Sequence, residues 1–199
     1  MNAVRHTAAS LLFGLALLTG TTACSTGPAA GPGTTAPPGP AATPAPGPSS
    51  DPTDAAWVQL MIPMDEGAVA LLDLAAEKAT DPRLRSYSAR LRTAQETELT
   101  ALRGLRERMG LPDTDVHEGH EMPGMVTATD LERADATGGA AFDRLLATEL
   151  RDHLRQSAQV SRSETTAGGS AEAKERATAL VAAREEQLTG LEAVGHVPG

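Results

Sequence analysis

An internal repeat constrains this chain more than any other feature. The pattern that begins at Asp54 returns 89 residues later with no gap, carrying Asp54 to Asp143, Leu91 to Leu180, Ala94 to Ala183, Leu99 to Leu188 and Leu102 to Leu191. In the first copy apolar residues fall at Trp57, Met61, Met64, Ala68, Leu71 and Ala75, in alternating steps of four and three, the spacing of a helix seam. Asp81-Pro82 then offers an N-cap followed by proline at the first helical position. A second seam runs through Leu84, Tyr87, Leu91, Ala94, Glu98, Leu102 and Leu105 and closes at Gly110. The pattern predicts helices over about 54–79 and 82–109, joined by a turn so short that they pack antiparallel.

The repeat predicts a second hairpin: a helix from about Ala140 to Thr165, a break at Gly168-Gly169, Ser170 in the capping place of Asp81, and a helix to about Val194. Two hairpins of this kind bury their seams on each other, so the expected fold is all-α, an antiparallel four-helix bundle over 53–195 with a loop at 110–128. A short helix from about Thr129 to Thr137 is expected between them, with Thr129 and Glu132 spaced as a capping box. Composition agrees. Beyond the N-terminal segment the aromatic residues are Trp57, Tyr87 and Phe142, so the core is built of Leu, Ala, Val and Met, which suits helix on helix better than sheet on sheet. The net charge of −9 argues against a nucleic-acid partner.

The first 23 residues have the layout of a secretory signal: Arg5, an apolar run from Leu11 to Leu18 too short to span a bilayer, and small residues through Ala23. Thr21-Thr22-Ala23-Cys24 resembles a bacterial lipoprotein box with Thr21 where Leu is usual, so Cys24 is the expected lipidation site. Cys24 is also the single cysteine, which excludes an intramolecular disulfide. From residue 24 to 52 the chain is Pro-, Gly- and Ala-rich, a disordered tether reaching on the order of 80 Å as a polyproline II spacer. The expected location is the outer face of the cell membrane, held by acyl groups.

Two places offer chemistry. Aligned by the repeat, Met64 corresponds to His153 and Glu98 to Gln187, so each long helix places a polar or polarisable group at a matched seam position. Thioether, imidazole and carboxylate in a bundle core are the ingredients of a transition-metal site. The alternative is that Glu98 meets Arg184, Met64 fills space and His153 is a hydrogen-bonded core histidine, since Arg184, where the other copy has Gln95, would repel a cation. The second place is the loop His117-Glu118-Gly119-His120-Glu121-Met122-Pro123-Gly124-Met125. His117 and His120 with Met122 and Met125 form a mixed imidazole and thioether set better suited to copper than to zinc, and a turn at Pro123-Gly124 would fold the methionines toward the imidazoles. No thiolate is present for a closed zinc site. The chain has no phosphate loop, no Gly-x-Ser-x-Gly elbow and no His-Glu-x-x-His helix, so no enzyme activity is expected.

Met61-Ile62-Pro63-Met64-Asp65-Glu66-Gly67-Ala68, Gln95-Glu96-Thr97-Glu98-Leu99, His120-Glu121-Met122-Pro123-Gly124-Met125 and Phe142-Asp143-Arg144-Leu145 together resemble the bacterial exported proteins grouped as Domain of Unknown Function 305. The resemblance covers about Asp54 to Leu191 and implies a ferritin-like bundle, a lipoprotein signal and, for some members, copper handling. The family signature is a His-His pair followed by Glu or Gln, Gly and Ala in each copy. Met64-Asp65 and His153-Leu154 stand in its place, making this a divergent member. The reading is a membrane-anchored, non-enzymatic copper-binding protein using His117, His120, Met122 and Met125, assisted by Met64, Glu98 and His153. A scaffold without metal, acting as an envelope structural or interaction protein through its acidic faces, is the alternative, and the lack of paired Glu-x-x-His helices argues against a third reading, a di-iron redox enzyme.

Overall fold

The computed structural model describes residues 51–195. The signal segment, Cys24, the tether up to Ser50 and His196 lie outside the described residues. Five helices are present, α1 (Pro52–Lys78), α2 (Pro82–Arg108), α3 (Ala128–Ala136), α4 (Gly139–Ala167) and α5 (Ala171–Gly195), with no strand among the described residues.

The ends of the long helices are fixed by the capping chemistry in the sequence. Asp51 accepts from Thr53 N at 2.8 Å, and Asp81 accepts from Arg83 N at 2.7 Å and Leu84 N at 3.4 Å. Gly110 takes φ +66° just beyond α2, a conformation glycine adopts without a Cβ clash. Ser170 Oγ accepts from Ala173 N at 3.3 Å, as its correspondence with Asp81 predicts. The short helix differs from expectation. It is capped two residues earlier, by Thr127, whose hydroxyl accepts from Asp130 N while Asp130 accepts from Thr127 N at 2.9 Å. Asp130 completes the box as Glu132 would have, with a shorter side chain that reaches back without leaving the turn.

All six seam positions of α1 are buried. In α2, however, Ala94 is exposed and Gln95 is buried, and the repeat reproduces the offset, Ala183 being half-buried and Arg184 fully buried. The seam steps by four after Leu91 and Leu180, so the inward position belongs to the polar neighbour. The core falls into two clusters. One joins Leu71, Leu72, Ala75, Leu84, Tyr87, Leu91, Phe142, Leu146, Leu150, Leu154 and Leu191, and the other Trp57, Val58, Met61, Met64, Leu99, Leu102, Leu105, Ala173, Ala177 and Leu180. Each fully buried Leu or Phe contributes about 1.5–3 kcal/mol, so both clusters are strong cohesive regions. α1 is long and apolar enough to cross a membrane by length and composition, but here its apolar face is spent on these clusters.

Packing is closest between α1 and α2 and between α4 and α5, and the pairs α1 with α4 and α2 with α5 join the hairpins. A matched pair of clasps reinforces the joint. Asp54 of α1 accepts from Gly169 N at 2.9 Å and Ser170 N at 2.8 Å in the α4–α5 turn. Its repeat partner Asp143 of α4 accepts from Thr80 N at 2.9 Å and Asp81 N at 3.0 Å in the α1–α2 turn. The 89-residue shift carries Thr80 to Gly169 and Asp81 to Ser170 as well, so the repeat is one of contacts and not of composition alone.

Candidate functional site

Along every long helix, polar residues separate the two apolar clusters, and they converge on Arg184. This side chain is fully buried, and every one of its N–H groups has a partner. Nε donates to Ser157 Oγ at 2.8 Å, Nη1 to Glu98 Oε2 at 2.9 Å and Gln187 Oε1 at 3.0 Å, and Nη2 to Asp65 Oδ1 at 2.9 Å and Glu98 Oε1 at 2.5 Å. One guanidinium thus ties α1, α2, α4 and α5 together. The fork on Glu98 is bidentate, the strongest geometry available to this pair.

His153 stands beside this layer, fully buried, with Nε2 3.6 Å from Asp65 Oδ1. Its Nδ1 lies 3.3 Å from the carbonyl oxygen of Gly124, which can only accept, so Nδ1 carries the proton and Nε2 receives the amide of Gln95 at 2.9 Å. Burial, reinforced by the Arg184 charge, lowers its pKa to about 3, so the ring is neutral. Burial raises Asp65 well above the usual carboxylate range, with the Glu98 carboxylate adding to the shift and Arg184 opposing it. Arg184 is held charged although burial works against it, because Asp65 and Glu98 outweigh that cost.

The loop is made of two successive β-turns of one design. His120 N donates to His117 O at 2.9 Å and Met125 N to Met122 O at 3.0 Å, with Gly119 at φ +75° and Gly124 at φ +74° in the third position of each turn. The first turn sets the imidazoles of His117 and His120 edge to face with centroids 6.2 Å apart. They line an open cavity of ≈ 370 Å³ together with Met125, Glu66, Glu118 and Glu121. The second turn is seated by close approach. A Cβ on Gly124 would lie 2.5 Å from Gln156 Cβ, and one on Gly67 would lie 2.3 Å from Val126 O, so the segment 124–126 runs like a strap across α1 and α4 with His153 beneath.

The predicted site residues therefore separate into two groups. His117, His120 and Met125 share the cavity, whereas Met122, half-buried, lies outside its lining. Met64 packs in the apolar cluster of Trp57 and Leu102, Glu98 is held in the Arg184 fork, and His153 is engaged at both nitrogens. The core donors do not fit a metal in this arrangement, because a permanent cation already holds the carboxylates and Gln95 holds the imidazole lone pair. Among the described residues no group of three or more His, Cys, Asp or Glu side chains is set to hold a metal ion. The loop pair fits better. The ring centroids, 6.2 Å apart, fall just inside the limit of about 6.4 Å for a near-linear N–metal–N bridge at about 2.0–2.1 Å, and Met125 shares the cavity; a site with a third donor would need the rings to close by about 1 Å.

Residues 54–194 match the family described as Domain of unknown function, DUF305. The chain belongs to the DUF305 family. Two solved structures share its fold. A DUF305 fragment from Deinococcus radiodurans superposes with TM-score 0.67 at 16% identity, covering 75% of this chain and 100% of that one. A DUF305 protein from Streptomyces coelicolor assigned as secreted superposes with TM-score 0.63 at 17% identity, covering 74% and 96%. No curated protein matches the chain. As a DUF305 protein it is a helical bundle whose Glu66-Gly67-Ala68 segment has a local explanation: Gly67 admits the strap and Ala68 is fully buried. Asp65 lies one residue beyond the seam position Met64 and was not singled out by the sequence pattern, whereas Arg184 meets Glu98 as the alternative to a metal site expects. The position of Arg184 four residues after Leu180 was the available signal of its burial.

Proposed function

We propose that this DUF305 protein is an exported, lipid-anchored, non-enzymatic copper-binding protein whose working site is the paired-turn loop. The observation that carries the reading is the His117 and His120 pair, whose rings lie 6.2 Å apart in one open cavity shared with the Met125 thioether. Imidazole and thioether accommodate Cu(II) and Cu(I) respectively, and Glu118 and Glu121 around the opening raise the local cation concentration. Met122 joins the set by rotation of an unbranched side chain. A solvent-open site of few ligands suits capture and release better than catalysis. The scaffold is read as an antiparallel, ferritin-like four-helix bundle. Support comes from the order of contacts with α4: Trp57 to Ser161 and Asp65 to His153 along α1, then Thr80 in the turn after it to Asp143, so that α4 partners fall in number as the chain advances. Anchoring rests on the Thr21–Cys24 sequence alone.

Titration of the protein with Cu(I) and Cu(II) under a competing chelator tests this. The native chain should bind one copper ion per molecule, and the variant with His117, His120, Met122 and Met125 all changed to Ala should lose at least about 100-fold in affinity. Equal binding by both would remove the loop from consideration. A second reading, a metal-free envelope scaffold, is favoured by one observation, the Arg184 guanidinium filling the core layer; absence of binding by the native chain would select it.

A further inference from the structure

We infer that the layer between the two apolar clusters is a cation-binding position built by four helices, and that its resident cation is the Arg184 side chain. The inference stands apart from the loop reading and uses none of its residues.

Three observations carry it. The acceptors converge from separate elements, Asp65 from α1, Glu98 from α2, Ser157 from α4 and Gln187 from α5, as ligands do around an ion. They are also more numerous than one guanidinium needs, since Asp65 Oδ2 and Gln95 Oε1 are buried without a hydrogen-bond partner. Finally, the guanidinium is not part of the plan shared by the two copies. Gln95 occupies the equivalent place in α2 and is likewise buried, so the repeat itself does not call for a charged side chain at that position. With the guanidinium removed, the two carboxyl groups and the Gln187 amide oxygen would face one desolvated space, while His153 keeps its Gln95 and Gly124 partners. That oxygen set suits a hard divalent ion, for which Co²⁺ serves as the visible probe.

The test is made in a parent chain carrying His117→Ala and His120→Ala, so that the loop cannot report, with Co²⁺ alone as the probe. Introducing Arg184→Ala should create one Co²⁺ site per chain, seen as visible d–d absorption. At a hundredfold excess over Kd, Tm should rise by about 5 °C or more. Both signals should vanish when Asp65→Asn and Glu98→Gln are added. The parent with Arg184 intact should show neither. If Arg184→Ala is unfolded without metal, the titration is read by far-UV circular dichroism, and recovery of helix on adding Co²⁺ supports the inference. A folded Arg184→Ala chain silent to Co²⁺, or an unfolded one that Co²⁺ leaves unfolded, overturns it. So does a volume-matched Arg184→Met chain as stable as the parent at pH 7, because the position would then need no cation.

Discussion

Glu164 is 1% exposed and shares its burial with the Asp54 carboxylate, to which its protonated form can donate. It lies against Gly168 with Asp54 close by, and burial, followed by the Asp54 and Asp51 carboxylates, pushes its pKa up to about 8. A carboxyl group whose folded pKa exceeds its unfolded value near 4.5 holds its proton more tightly in the folded state. It therefore lowers stability progressively as pH rises from about 4.5 to about 8. Glu164→Gln removes this dependence. Chemical denaturation across pH 5–8.5 should show the variant gaining on the native protein by about 1–2 kcal/mol toward the upper end, while below pH 4.5 the two converge. His153 works in the opposite sense. Its folded pKa of about 3 lies below the unfolded value of 6.5, so its contribution is complete above about pH 6.5 and is lost as pH falls toward 3. Imidazole ¹⁵N shifts should report a neutral ring protonated at Nδ1 down to about pH 4.

Among the elements, the strap at 124–126 is held by absence of side chains. In isolation Gly67→Ala should favour α1 by about 1 kcal/mol, because glycine is a poor residue inside a helix. Here the new methyl meets the backbone oxygen of Val126, which does not yield as a flexible side chain does, and overpacking of about 1–3 kcal/mol outweighs that gain. Hydrogen exchange should accelerate at residues 124–127 while the four long helices keep their protection. Gly124→Ala should do the same, since φ +74° adds backbone strain to the contact with Gln156. The long helices were legible in the sequence because the caps at Asp81 and Ser170 and the apolar periodicity agree with each other. The fault lay in one step of each seam, where the apolar residues Ala94 and Ala183 were preferred to Gln95 and Arg184. The layer itself was legible through Glu98, Gln187 and His153, and the pairing of Glu98 with Arg184 is the one expected as the alternative to a metal. Asp65 and Gln95, each one residue beyond an apolar seam position, were the members that the apolar pattern hid. The turn at Pro123-Gly124 was readable from residue types, whereas the docking of its glycine on α4 was not, because it depends on a surface 28 to 32 residues away in sequence.

At the scale of the whole molecule, the two hairpins meet through the polar layer, through packing of α1 on α4 and α2 on α5, and through the clasps of Asp54 and Asp143. Each clasp is a charged acceptor on backbone donors, worth about 1.5–3 kcal/mol. Asp54→Ala and Asp143→Ala should therefore each lower stability by about that amount. They lie at different turns and share no partner, so denaturant melts of the double variant should show the losses adding to within about 0.5 kcal/mol.

The layer also sets which halves are compatible. Asp65 and Glu98 belong to the first hairpin, and Arg184 belongs to the second, where Leu154 and Gln187 stand at the places equivalent to Asp65 and Glu98. A homodimer of the first half would bury four carboxylates with no base among them. One of the second would face guanidinium against guanidinium. Expressed as separate fragments, the halves should ignore their own kind and reassemble as a one-to-one heterodimer. The duplicated hairpins have become an acid half and a base half, and a single polypeptide carries both in fixed proportion.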